Sequence, residues 1–234
     1  AIGKRVARRC GAGFGMKVLG HDIVWDDAWA SENHVERAGL ERIFREADFI
    51  SLHTSLDDST RHLVDAPRLA LMKPTAILIN TARGELVDGP ALLEALEQAP
   101  SLGLTVTAHC EDLYLASGGL MHQGEVSRKL GVPGIPSIAE DICVARDAAI
   151  AEYTGAHIHI AHIASKGAVD IVRKAKAKGV NITCEVTVHH LTLTDEACAG
   201  YSTATRVSPP LRSRDHVEAM RAGLKDGTID AIVT

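Results

Sequence analysis

Long hydrophobic runs are missing from this 234-residue chain. None approaches the roughly 18 residues of a membrane span, and no signal-peptide-like apolar stretch opens the sequence. An excess of positive charge is missing too: 25 basic residues against 30 acidic ones leave a net charge of −5. No basic field therefore exists to hold nucleic acid or an anionic membrane. Paired cysteine motifs are absent as well. Cys10, Cys110, Cys143, Cys184 and Cys198 are odd in number and contain no CxxC, which reads as reduced thiols in a cytoplasmic protein rather than a disulfide framework. Aromatic residues make up only 3% of the chain, although 46% is hydrophobic. Collagen, coiled coil, secreted disulfide knot, membrane protein and disordered tail are excluded. At roughly 150 residues per domain the length fits one or two domains, and a chain of this size buries about 70% of its unfolded surface.

What is present are short, β-branched apolar runs separated by amphipathic stretches, the pattern of βα units around a parallel sheet. Strands are expected at 17–22, 48–52, 75–80, 103–109, 157–162, 180–187 and 229–234. Continuous runs such as AILIN predict burial on both faces. Helices are expected at 3–12, 34–46, 62–72, 89–98, 137–153, 165–178 and 213–226. Gly179 follows a lysine-rich last turn as a helix-terminating glycine, and Pro90 stands where a helix start tolerates its missing N–H. Stretch 110–136 holds five of the 20 glycines and two prolines with no clear element, and loops this long are usually functional or disordered.

The segments AIGKRVARRCGAGFGMKVLGHD, ADFISLHTSLDDSTRHLV and LMKPTAILINTARGELVDGPALLEALEQ resemble the NAD-binding domain of the D-2-hydroxyacid dehydrogenases over residues 1–98. A dinucleotide site needs a glycine turn, a helix N-terminus for the pyrophosphate and an acid for the ribose hydroxyls. Gly3 matches the last glycine of that fingerprint, without the first strand or the first two glycines. Asp22 stands 19 residues further on, at the place of the ribose-binding acid. The resemblance makes Arg83 the substrate-carboxylate arginine and Thr81 a neighbour of the nicotinamide. From the residues alone, Asp22 equally closes a loop and Arg83 equally pairs with Glu85 or Asp88. Intact NAD binding and hydride transfer are not expected.

From Gly103 onward, TAHCED, GIPSIAEDICVARDAAIAEYTGAHIHIAHIAS, KAKGVNITCEVTVHHLTLTDEAC, RVSPPLR and LKDGTIDAIVT resemble the second half of dihydroorotase, of the amidohydrolase superfamily. That family is a TIM-type barrel whose strand ends hold one or two zinc ions, which activate a water against a cyclic amide. His109 and His162 match two of its metal-ligating histidines. The HxH pair of the first barrel strand, the carboxylate of the fourth and the last-strand aspartate have no counterpart. Ser208 replaces the asparagine of the substrate-binding NPPLR, and Val188 the proline of TPHHL. His157 and His159 form an HxH of their own, but in mid-strand. His189 and His190 read as structural, one facing the core and one outward.

The junction near 99–102 carries no flexible linker, and the helix 89–98 runs into the strand 103–109 without losing the βα alternation. The expected architecture is α/β, with parallel repeats forming one hybrid TIM-barrel-like domain over 1–234; an open doubly wound sheet is the alternative. Three strands would come from the first segment and four from the second. Asp22, His53, Arg83, His109 and His162 would then share one rim. Unpaired sheet edges would favour a homo-oligomer. The functional expectation is an engineered or recombined fold chimera without competent catalysis, binding zinc or nickel weakly at His109 and His162 if at all. The alternatives are a residual metal-dependent cyclic amidohydrolase and a nucleotide-binding module.

Overall fold

The computed structural model describes residues 2–80, 82–102 and 105–234, without the side chains of 95 and 98–102. Contacts gather into two compact units, Ala1–Leu96 and Glu97–Thr234, divided just before the expected junction. Every described strand pairing is parallel. The α/β class with parallel sheets is therefore as expected.

The first unit opens on helix Ile2–Arg8 and a single π turn, Arg9–Gly13. Its strands are β1 (Val18–Gly20), β2 (Val35–Arg37), β3 (Phe49–Leu52) and β4 (Ile77–Asn80). They form two separate ladders, with Val18 opposite Val35 and Phe49 opposite Ile77. Strand β2 lies where one helix, 34–46, was expected. His34 takes a left-handed conformation and Gly39 an extended one, so the helix is confined to Leu40–Glu46. A helix that the sequence reading missed, Asp27–Glu32, is capped by Asp26, whose carboxylate accepts from the Trp29 amide at 3.0 Å. The expected helix 62–72 shrinks to Ala66–Leu71 because Asp65 caps it and Pro67 occupies its first turn. Phe44, Ile50, Leu52, Val64 and Leu86 form the unit's core. Ile77 and Ile79 are 50% and 39% exposed, so AILIN buries one face only and not both.

In the second unit, β5 (Thr105–Ala108), β8 (His157–Ile160), β9 (Ile182–Thr187) and β10 (Ala231–Val233) form one sheet in the order β10-β9-β8-β5. Helices Ile138–Thr154, Lys166–Ala177 and Arg214–Lys225 end within a residue or two of their expected limits. Gly179, at φ +81°, follows the second of these helices as expected. Strand alternation holds along β8 and along β9 as far as Val186. Ile158, Ile160, Ile182, Cys184 and Val186 point into a core with Val144, Val169, Val172 and Met220. On the opposite face, His157 bridges Thr105 and Thr183, while His159 bridges Thr183 and Glu185. Stretch 110–136 has more order than expected: helices Leu113–Ala116 and Glu125–Leu130, and the two-residue strands β6 (Met121–His122) and β7 (Gly134–Ile135), which pair with each other.

Seven strands in one body were expected. Among the described residues there are ten, in four sheets that each lie within one unit, and no sheet closes into a barrel. Three- and four-residue strands in the first unit supply few backbone pairs, and three of the ten strands were too short to read from periodicity. The five cysteines are free, as expected. No helix among the described residues is long and apolar enough to cross a membrane.

Candidate metal site at the ends of two neighbouring strands

Parallel pairing of β5 with β8 sets Ala108 opposite Ile160, and the Ala161 amide continues the ladder to the Ala108 carbonyl at 2.9 Å. Both chains therefore leave the sheet side by side at its C-terminal edge. His109 and His162 come directly off these ends. Their rings meet edge to face, with centroids 4.8 Å apart, and His109 Nδ1 shares a 3.2 Å hydrogen bond with His162 Nε2. Two Zn–N bonds of about 2.05 Å at a tetrahedral angle place the nitrogens about 3.3 Å apart. This pair matches that spacing once the shared proton is displaced, as metal binding requires. Burial, and then the neighbouring His109, holds the His162 imidazole below the ordinary histidine range, which keeps it in the neutral form that a metal needs.

The surroundings of the two rings differ. His109 Nε2 lies 3.6 Å from Glu111 Oε2, beyond hydrogen-bond range. His162 Nδ1 is buried and has no hydrogen-bond partner. If His162 gave Nε2 to a metal, its proton would sit on that unpartnered nitrogen, at a typical cost of about 1–3 kcal/mol. Among the described residues, no three His, Cys, Asp or Glu side chains gather around one point where an ion could bind. The donor set therefore fits two of a zinc ion's ligands and stops there.

The remaining dihydroorotase-like positions make other contacts. His190 is buried; Nε2 donates to the Pro209 carbonyl at 3.0 Å, so Nδ1 accepts from the Thr187 hydroxyl at 2.7 Å. His189 is half-buried, so only the core-facing member of the expected pair is found as read. Val188 opens the short helix Val188–Thr192. Ser208 is exposed and lines a cavity of about 300 Å³ with Gly119, Leu120, Ile135, Arg206 and Val207. His157 and His159 lie within β8, away from its end.

Asp22, His53 and Arg83 lie in the first unit. Asp22 is exposed and Oδ1 accepts from the Val24 amide at 3.1 Å, closing the loop after β1. The Arg83 guanidinium donates to the Ala82 carbonyl at 2.8 Å, and its own carbonyl accepts from Asn80. Asp88 faces His62 at 4.0 Å. Thr81 lies outside the described residues. Gly3 sits in the seven-residue helix Ile2–Arg8, and the position its Cβ would take is 3.5 Å from the His53 Cβ. That is the close helix-to-strand packing expected of the third fingerprint glycine, not a phosphate cradle.

The sequence reading missed a pair of the most deeply buried charges of the second unit. Glu140 and Arg212 are 3% and 2% exposed and pair at 2.7 Å, and His122 and His216 lie beside them. An acid in the first turn of a helix and an arginine closing SPPLR were the available signals. Neither announces burial.

Residues 1–107 match the family described as D-isomer specific 2-hydroxyacid dehydrogenase, NAD binding domain. The chain is also 57% identical over 164 residues to a dihydroorotase of Syntrophus aciditrophicus, and 56% identical over 149 residues to one of Pelotomaculum thermopropionicum. The chain resembles two families. The matches cover 70% and 64% of this chain but only 38% and 35% of those relatives. Residues 103–234 number 132, fewer than the 164 of the first alignment, so the dihydroorotase likeness runs upstream of the expected junction. Among solved structures, D-hydantoinase (dihydropyrimidinase) from Thermus sp. is similar at a TM-score of 0.56 and 22% identity, covering 99% of this chain and 52% of that one. At that identity the likeness speaks to fold alone.

Proposed function

We propose that the chain is a recombined fold chimera whose dihydroorotase-like part keeps a two-histidine metal-binding remnant and has no turnover of its own. The observation that carries this reading is the 3.2 Å approach of His109 Nδ1 to His162 Nε2 at the ends of neighbouring parallel strands. A zinc ion held there supplies Lewis acidity and an activated water, the chemistry that opens cyclic amides. His109 and His162 would donate one nitrogen each. A hydrolytic zinc needs at least three protein ligands and an open position, so two imidazoles fall short. The unpartnered His162 Nδ1 weakens binding further, because partners of the outer shell are typically worth 10–100-fold in affinity.

The test is metal content after dialysis against a chelator. Weak zinc or nickel uptake is expected, measurable by competition with a chromophoric chelator and abolished by His109→Ala or His162→Ala, with no hydrolysis of dihydroorotate. Stoichiometric zinc that survives dialysis, together with turnover that either substitution destroys, would establish the rival reading of a residual cyclic amidohydrolase.

A further inference from the structure

Four consecutive backbone amides follow His162, and each finds an acceptor outside its own segment. Ile163 donates to the Glu185 carbonyl at 2.9 Å. Ala164 and Ser165 both donate to Glu140 Oε1, at 2.7 and 3.0 Å. Lys166 donates to His216 Nδ1 at 2.9 Å. Ile163, Ala164 and Ser165 are 1%, 2% and 0% exposed, so these amides have no water to fall back on. His162 itself holds φ +35°, a left-handed conformation that a residue with a Cβ keeps only when its surroundings impose it. The second oxygen of the same carboxylate takes Arg212 Nη2 at 2.7 Å, tying down the Ser208–Arg212 segment.

We infer that Glu140 is a positioning residue for the candidate metal site. Its buried carboxylate grips the turn after β8 through two amides, holds His162 in the left-handed conformation and so presents Nε2 to His109. Arg212 is the countercharge that makes a buried carboxylate tolerable in that place. Glu140 touches neither histidine, so it acts only through the backbone of Ala164 and Ser165. Only the metal arm of the following test rests on the proposed metal site; the other arm reads the metal-free protein.

The test uses the full chain with Arg212→Met as a background that removes the ion pair but leaves the amide acceptor. Two readouts apply: the imidazole ¹⁵N spectrum of His109 and His162 without metal, and the affinity for Co²⁺ with its visible absorption. Arg212→Met should keep the wild-type ¹⁵N pattern and a Co²⁺ affinity within about threefold. Adding Glu140→Ala should average the His162 tautomer signals and weaken Co²⁺ binding by about 10–100-fold. Adding Glu140→Gln instead, which keeps a carbonyl for the two amides, should restore both. If Arg212→Met does not fold, Arg212→Lys serves as the background. Wild-type ¹⁵N signals in the Glu140→Ala double variant overturn the inference, whatever its thermal stability. Normal ¹⁵N responses with no Co²⁺ binding in any variant would uphold the positioning role and instead sink the metal reading.

Discussion

Acid should unfold the second unit well before its carboxylates matter. His122, His190 and His216 are 5%, 3% and 5% exposed, and burial pushes each from 6.5 down to about 4. Arg212 adds to the effect at His122 and His216. A histidine with a depressed folded-state value is neutral in the native protein while the unfolded chain already binds a proton. Stability is therefore complete above about pH 6.5, falls as the pH drops towards 4, and levels off below that. The difference between 6.5 and about 4 is worth about 3 kcal/mol per histidine, at 1.36 kcal/mol per pH unit. Three independent sites would lose about 10 kcal/mol, comparable to a whole domain's stability of about 5–15 kcal/mol. That sum is a ceiling, since His122 and His216 stack at 5.2 Å and share Arg212 as a neighbour. Asp215 and Asp226 are held below the usual carboxylate range, by Lys166 and Ser213 and by Thr228 and Arg173 respectively, so their contribution is lost only below about pH 4. Urea unfolding followed by circular dichroism between pH 4.5 and 7.5 reads the histidine window alone. A loss of several kcal/mol from pH 7 to 5 is expected, and His190→Asn should remove about a third of the slope. Stability that is equal at pH 7 and pH 5 within about 1 kcal/mol would refute the argument.

Other expectations follow from particular contacts. Arg212→Met alone strands a buried carboxylate and should cost about 3–5 kcal/mol, whereas Glu140→Gln/Arg212→Met should cost less than the two single changes together. Additive urea midpoints would show the pair is not coupled. NADH fluorescence should not be enhanced by the protein, because Gly3 is the one fingerprint glycine that the sequence matches; saturable enhancement lost in Asp22→Ala would contradict this. The single-domain expectation means one calorimetric transition; two resolved transitions would assign the two units separate stabilities.

Legibility in the sequence followed the length and periodicity of each element. Helix Ile138–Thr154 and strand Ile182–Thr187 were readable because repeated apolar positions span several turns or pleats. Strand Val35–Arg37 was not, since HVERAGLERIFRE carries helical spacing across the extended segment at Gly39. Two-residue strands such as Met121–His122 have no period to detect at all.

The site divides along a similar line. His109 and His162 could be found because motifs carry them, and register, with Ala108 opposite Ile160, brings the two strand ends side by side. What holds them is a different matter. Glu140 sits 22 residues before His162 and Arg212 lies 50 residues after it, and the burial of both charges depends on three segments arriving at one point. Charged residues are rarely buried unless paired, and sequence spacing gives no sign of a pair 72 residues apart. The ligands of a site such as this are written locally in strand ends, whereas the geometry of their backbone is written in the packing around them. Glu140, His162 and Arg212 all fall in the segment that resembles dihydroorotase, so the histidines and the packing that places them belong to one segment of the chain.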